Sequence, residues 1–285
     1  MRRHTEWLLL VIPGLIWGAS FLFIAEGLEA IGPNGVAFVR ILVGFATLAL
    51  FRGAWRPIPR GDWAGVALVG VLWMALPLSL FPHAEQRVSS AITGMLNGSV
   101  PLFAATVATI IARRAPPRPV LLGLVVGMTG AVLMALPSIH EGRSSTQGVL
   151  LILAAVACYG VALNVAGPLQ RRHGALPVIW RAQAVAVVLT APVGVQELLA
   201  ARWTPVPLLS LLVLGALGTG VAYVLLTVAV GRLGATRASA TNFLIPPVAL
   251  GLGVVVRGEH VALLSVAGAA VCVAGAWLMH RERLR

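Results

Sequence analysis

An all-α integral membrane protein, with ten transmembrane helices arranged as two inverted five-helix repeats, is the fold class this sequence predicts, and three observations predict it. The first is composition: the 285-residue chain is 59% hydrophobic and 11% charged, whereas roughly a quarter of a soluble domain is charged. A helical bilayer crossing needs about 20 mainly apolar residues, and ten such runs can be counted. The second is a gapless internal repeat, in which Ser89 to Met134 recurs as Gly234 to Met279 at an offset of 145 residues. The pairs include Asn97 with Asn242, Pro101 with Pro246, Gly123 with Gly268 and Gly130 with Gly275. Matched Asn, Pro and Gly are not explained by hydrophobicity, so one unit is used twice. The third is the placement of arginine. With the N-terminus taken as cytoplasmic, 15 arginines fall on inside segments and 4 (Arg87, Arg143, Arg202 and Arg257) on outside ones, which is the asymmetry that orients membrane helices. Both termini are expected in the cytoplasm.

The ten runs are Trp7 to Glu26, Gly35 to Phe51, Trp63 to Phe81, Ser89 to Ile111, Pro119 to Pro137, Val149 to Leu169, Pro177 to Leu199, Val206 to Val230, Ala235 to Val256 and Val261 to His280. They divide into halves at 1–139 and 140–285, five helices each. Five is odd, so the second half enters the membrane from the opposite side. Inverted repeats of this kind place a site near the bilayer midplane between the halves.

The first run opens after Arg2 and Arg3 like a leader peptide, but it is long and no small-x-small cleavage site precedes Glu26, so it reads as a retained helix. Small residues in Gly14-Leu15-Ile16-Trp17-Gly18-Ala19-Ser20 permit close approach to a neighbour, and Trp17-Gly18 is echoed by Tyr159-Gly160 in the sixth run. In the second run Arg40 sits a turn or so inside the helix, as Arg181 does in the seventh. A cation at a helix N-terminus opposes the dipole by roughly 0.3–1 kcal/mol and asks for an acceptor. Glu26 is the candidate for Arg40; backbone carbonyls or lipid phosphate are the candidates for Arg181, and snorkelling with helix fastening is the reading favoured for both. The third run ends at Phe81-Pro82, which puts His83 and Glu85 in an outer loop, a pair able to exchange a proton and too sparse for a metal site. Trp180 marks an interface, and Gln183 reads as helix packing. Glu259, which corresponds to Arg114, reads as an interfacial charge.

The fourth and ninth runs carry the strongest signal. A proline lacks an N–H and displaces the carbonyl four residues before it; for Pro101 that carbonyl belongs to Asn97, and for Pro246 to Asn242. Each Asn thus combines a freed main-chain acceptor with a side-chain amide at membrane depth. Two readings stand: the amides face a central cavity and bind substrate, or each bonds a neighbouring helix for about 0.6–2 kcal/mol. Gly94, Gly98, Gly123 and Gly127 read as helix contacts. Cys158 and Cys272 fall within spans and do not correspond under the repeat, so no disulfide is expected. No cofactor or metal is expected either.

The chain resembles the EamA-type family of the drug/metabolite transporter superfamily, on Trp17-Gly18-Ala19-Ser20-Phe21, on Phe38-Val39-Arg40, and on the small-residue runs to Pro101 and to Pro246 with Gly258-Glu259 following. The resemblance implies a ten-helix carrier of a small metabolite or drug, with helices one, three, four, six, eight and nine around the pathway. On that reading Trp17, Tyr159, Asn164 and Tyr223 join Asn97 and Asn242 along it, with Gln183 a further candidate. No His-Glu-x-x-His, Gly-x-Ser-x-Gly or convergent acid pair is present, so an intramembrane enzyme is not expected. A lipid translocator or a non-transporting scaffold is the alternative. The partners expected are a small-molecule substrate and the bilayer, with no nucleic acid, because the arginine placement accounts for the +12 net charge. The absence of lysine among 21 basic residues points to a bacterial plasma membrane.

Overall fold

The computed structural model describes residues 2–113, 118–140, 145–233 and 239–281. Arg114, to which Glu259 corresponds, lies outside them, as do Arg143, Arg237, Arg283 and Arg285 of the arginine asymmetry and Gly234 at the start of the second repeat copy. All regular structure among the described residues is helical. Seven helices are long and apolar enough to cross a membrane, and three shorter apolar ones accompany them; together they fall on the ten runs.

In chain order these are α1 (Arg2–Gly27), α2 (Pro33–Ala49), α3 (Trp63–Val69, Gly70–Ala75 and Leu76–Glu85), α4 (Ser90–Asn97 and Val100–Ala112), α5 (Arg118–His140), α6 (Thr146–His173), α7 (Ala175–Leu199), α8 (Pro205–Val213, Leu214–Val221 and Ala222–Leu233), α9 (Ser239–Leu244 and Ile245–Arg257) and α10 (Leu263–Arg281). Pro33 and Pro205 open α2 and α8, where a missing N–H costs nothing. Gly258, at φ 64°, closes α9 in a left-handed conformation that needs no Cβ. One residue, Gly174 at φ 85°, turns α6 into α7. The third helix does not stop at Phe81 as the sequence suggested. It continues through Pro82 to Glu85, because a proline removes one hydrogen bond and the turn beyond it still closes.

Irregular backbone falls at matching places. The π-helical Gly70–Ala75 of α3 and Leu214–Val221 of α8 coincide under the 145-residue offset, as do the breaks before Pro101 and Pro246. Between α5 and α10 the main chains come into direct contact. A Cβ on Gly130 would stand 2.7 Å from the Gly268 carbonyl oxygen, one on Gly268 2.9 Å from that of Gly130, and one on Gly275 2.6 Å from that of Gly123. The offset turns the pair Gly130 with Gly268 into the pair Gly275 with Gly123, so the contact exchanges with itself. Small residues at such seams let van der Waals packing hold helices together where lipid removes the hydrophobic drive.

Gly130→Ala should therefore destabilise the protein by about 1–3 kcal/mol, as overpacking does. Gly251→Ala, where a Cβ meets nothing within 4 Å, should leave the melting temperature unchanged or raise it. Thermal unfolding of the two purified variants checks the contrast, and equal effects would show that the seam is not packed as described.

Candidate functional site

Four helices lose regular geometry at mid-depth, and a cavity of about 460 Å³ lies between them. In α4, Pro101 leaves the Asn97 carbonyl without its helical donor. The Gly98 and Ser99 N–H groups turn back to the Met95 and Leu96 carbonyls, 3.0 Å each, and the helix restarts at Val100. In α8 the π segment frees two carbonyls that side chains then satisfy: Trp17 Nε1 donates to Gly218 O at 2.9 Å and Gln183 Nε2 to Thr219 O at 2.7 Å. Wide turns of this kind recur at functional sites, and irregular backbone at this depth is tolerated only against protein or a cavity.

The six residues singled out for a pathway, Asn97, Asn242, Trp17, Tyr159, Asn164 and Tyr223, all line this cavity. Its wall comes from α1, α3, α4, α6, α8 and α9, with Arg40 from α2 and Val120 from α5. Rings form two groups: Tyr223 meets Trp17 at 5.5 Å and Trp73 at 5.9 Å edge-on, while Phe81 meets Phe21 at 5.6 Å and Tyr159 at 5.8 Å. The Asn164 amide donates to the Ala104 and Gly160 carbonyls at 3.0 and 2.8 Å, which leaves its Oδ1 to meet a solute. Neither Asn97 nor Asn242 hydrogen-bonds a described residue, and Asn97 Oδ1 is buried without a partner. Gln183 is not in the wall; it is fully buried and braces the π turn.

Arg40 does not pair with Glu26. It is 7% exposed, it lines the cavity, and its Nε donates to Thr219 Oγ1 at 2.9 Å. Glu26 is taken instead by Arg257, Nη1 to Oε1 2.5 Å, because both lie at the helix ends while Arg40 lies about 10 Å along α2. Arg181 donates to the Ala54 and Pro177 carbonyls at 3.1 and 3.3 Å, the first of the two kinds of acceptor named for it. His83 and Glu85 belong to α3 and not to a solvated loop. His83 Nδ1 lies 2.8 Å from the Ser79 carbonyl, and both Glu85 carboxylate oxygens are buried without a hydrogen-bond partner. Sequence reasoning missed Thr219; glycines on both sides in Gly215-Ala216-Leu217-Gly218-Thr219-Gly220 were the available sign.

The cavity is displaced toward one end of the bundle. Its wall reaches Val120 near the start of α5 and Gln170 near the end of α6, both at the arginine-rich end that also holds Arg52, Arg56, Arg60 and Arg172. At the opposite end acids tie helices together. Glu259 is no mere interfacial charge: its Oε1 accepts from the Ser90 N–H at 2.9 Å and hydroxyl at 2.7 Å, and its Oε2 from the Ala91 N–H at 2.8 Å. It thus caps the orphan donors of α4. Glu197 does the same for α2, accepting from the Gly35 N–H and Asn34 Nδ2 at 2.7 Å each. Arg257 joins α9 to α1 through Glu26 and, at 3.3 Å, Glu29.

The sequence profile of the EamA-like transporter family matches residues 5–136 and 146–281. The chain belongs to that family. Among similar proteins, a "Probable terminal-alkyne amino-acid exporter" of Streptantibioticus cattleyicolor is 28% identical over 96% of this chain and 93% of its own. The "Uncharacterized transporter YdfC" of Bacillus subtilis is 26% identical over 91% and 86%. A solved crystal structure, 17% identical, covers 95% of this chain and 98% of its own with a TM-score of 0.61, which shows a shared fold. This EamA protein is thus a multi-pass membrane protein of a transporter family, and its relatives are named as transporters and not as enzymes.

With Cys158 and Cys272 replaced, a cysteine at Ala108 should react with a membrane-impermeant maleimide applied to the arginine-rich side, while one at Ser20 should be protected from the opposite side. Glu259→Ala, which removes three bonds to α4, should increase labelling of the Ser20 position from that opposite side. Protection of Ala108→Cys from the arginine-rich side would contradict the cavity's orientation.

Proposed function

We propose that this protein is a secondary transporter that moves a small metabolite or drug across a bacterial plasma membrane by alternating access. Its halves, 1–139 and 140–285, are five-helix units of opposite orientation rearranging about the central cavity, with both termini cytoplasmic. The observation that carries the reading is the pair Asn97 and Asn242: repeat-equivalent amides, each beside a proline break, both in the cavity wall and both without a hydrogen bond to a described residue. The alternative in which each amide fastens a neighbouring helix has no such bond to rest on. The exchanging contacts of α5 and α10 support inversion, since paired copies about a two-fold axis exchange contacts in this way. On this reading the structure is the inward-open state, with the acid ties holding the outer end shut.

The cavity falls within the roughly 300–1,000 Å³ of small-molecule sites and has their makeup, an apolar aromatic wall with a few convergent polar groups. The name of the Streptantibioticus relative makes export of an amino-acid-like metabolite the first substrate class to test. Proteoliposomes loaded with amino acids, nucleosides or cationic drugs should accumulate labelled external compound by counterflow for at least one class. Asn97→Ala and Asn242→Ala should each weaken apparent affinity about 2- to 12-fold, the range of one lost hydrogen bond, and the double variant more. Counterflow by the wild type with no change in the double variant would remove the amides from the site; no counterflow for any compound by folded protein would remove the carrier reading.

A further inference from the structure

Arg40 is the one charged residue in the cavity wall among the described residues, and no described acid contacts it. A guanidinium carries five N–H donors. One, on Nε, reaches Thr219 Oγ1; the two Nη groups hydrogen-bond no described residue and are not sealed from the cavity. Glu85 is the carboxylate whose charge acts on Arg40, yet both of its oxygens lack any hydrogen-bond partner, so the two groups do not touch. A charge at this depth is costly, and such residues pair or mark a substrate path. A fastening role has a visible form in this same protein, in Arg181, whose Nη1 donates to two backbone carbonyls near a helix end. Arg40 has no bond to a backbone carbonyl of a described residue; its Nε meets a hydroxyl, and its guanidinium borders the cavity.

We infer that Arg40 is the anchor of an anion subsite, and that the transported compound carries a carboxylate. This rests on the carrier reading and names its substrate class. Thr219 fixes the plane of the guanidinium from its Nε edge, and the Nη1–Nη2 edge then offers the two parallel donors that fit a carboxylate bidentately. The hydroxyl of Thr219 is itself held, donating to the Leu214 carbonyl across the π turn at 3.4 Å. Around this point the wall is aromatic: Trp17 and Tyr223 on one side, Phe81 and Tyr159 on the other, with Tyr159 and Tyr223 both within electrostatic reach of Arg40. The geometry takes a carboxylate on a compact apolar or aromatic body. With no acid in the described wall, a compound whose only charge is positive meets repulsion.

The test uses the full-length protein in nanodiscs, with quenching of tryptophan fluorescence as the readout, since Trp17 and Trp73 are in the wall. Three probes of one shape are compared: 3-phenylpropionate, 3-phenylpropanamide and 3-phenylpropylamine. The wild type should bind the carboxylate at least about 10-fold more tightly than the amide and the amine, the lower end for a hydrogen-bonded charge. Arg40→Gln should lose that preference, and Arg40→Lys, which keeps the charge without the fork, should retain part of it. Binding of the amide or the amine as tightly as the carboxylate, no binding of the carboxylate, or an undiminished preference in folded Arg40→Gln would overturn the inference; the first two need no variant, so a folding failure cannot protect it. Counterflow separates the two readings. Movement of neutral or cationic compounds that depends on Asn97 and Asn242 but not on Arg40 sinks the anion subsite and leaves the carrier. Carboxylate binding that depends on Arg40 with no counterflow of any compound sinks the carrier and leaves the subsite.

Discussion

Inside hydrocarbon, every backbone N–H and carbonyl must find its partner within the protein, and this structure depends on how that constraint is met wherever a helix stops being regular. An uninterrupted helix meets it alone. The π turn of α8 does not, and so Trp17 and Gln183, residues 201 and 36 positions away, must reach the carbonyls of Gly218 and Thr219. The first turns of α2 and α4 do not, and so Glu197 of α7 and Glu259, just past the end of α9, cap them. Each break therefore creates a long-range bond, and those bonds set which helices are neighbours. The cavity lies where the breaks converge because a break whose partner is a side chain leaves space beside it that a regular helix would fill.

Charge follows the same logic at greater cost. Of the acids in the described residues, Glu26, Glu29, Glu85, Glu197 and Glu259 gather at one end of the bundle, where all but Glu85 tie helices through caps or through Arg257. At the other end Asp62 meets Arg172 at 2.9 Å and His173 at 2.7 Å, joining the start of α3 to the end of α6. Ion pairs near the surface are worth about 0–1 kcal/mol each. Half-buried carboxylates that accept three bonds, as Glu259 does, are harder to release, since each lost donor is left unpaired.

Much of the fold was legible because a bilayer crossing demands length: ten apolar runs needed no subtler signal, and their ends fall within a few residues of the observed helices. The repeat was legible through Asn97, Pro101 and the glycines, whose identities are not interchangeable with other apolar positions. Polar side chains inside apolar runs, such as Asn164 and Tyr223, stand out for the same reason, and they gather in the cavity. What the chain does not announce is pairing. Arg40 finds Thr219 at a separation of 179 residues, and Glu26 seemed its partner only because the two share an end of the bundle in projection. The π segments have no composition of their own, and Pro82 looked like a stop where the helix continues, since a proline's effect depends on whether the following turn can still close.

Under the proposed inversion, a symmetric architecture would give inward- and outward-open states of equal energy only if the two copies closed their ends with equal chemistry. They do not. Glu259 caps α4 at one end, and its repeat partner is Arg114, which supplies no acceptor for a helix N-terminus. Among the described residues the two ends of the bundle thus carry different ties: ionic pairs and carboxylate caps at one, and the single Asp62 cluster at the other. A ligand shifts a two-state equilibrium only by the difference in its affinity for the two states. On the proposed reading, a charge neutralised at Arg40 would be placed to supply such a difference, since Glu85 is within electrostatic reach of Arg40 and also of Glu259 and Arg257. Substrate binding and release of the ties would then, on that same reading, be linked through charge rather than through a shared contact.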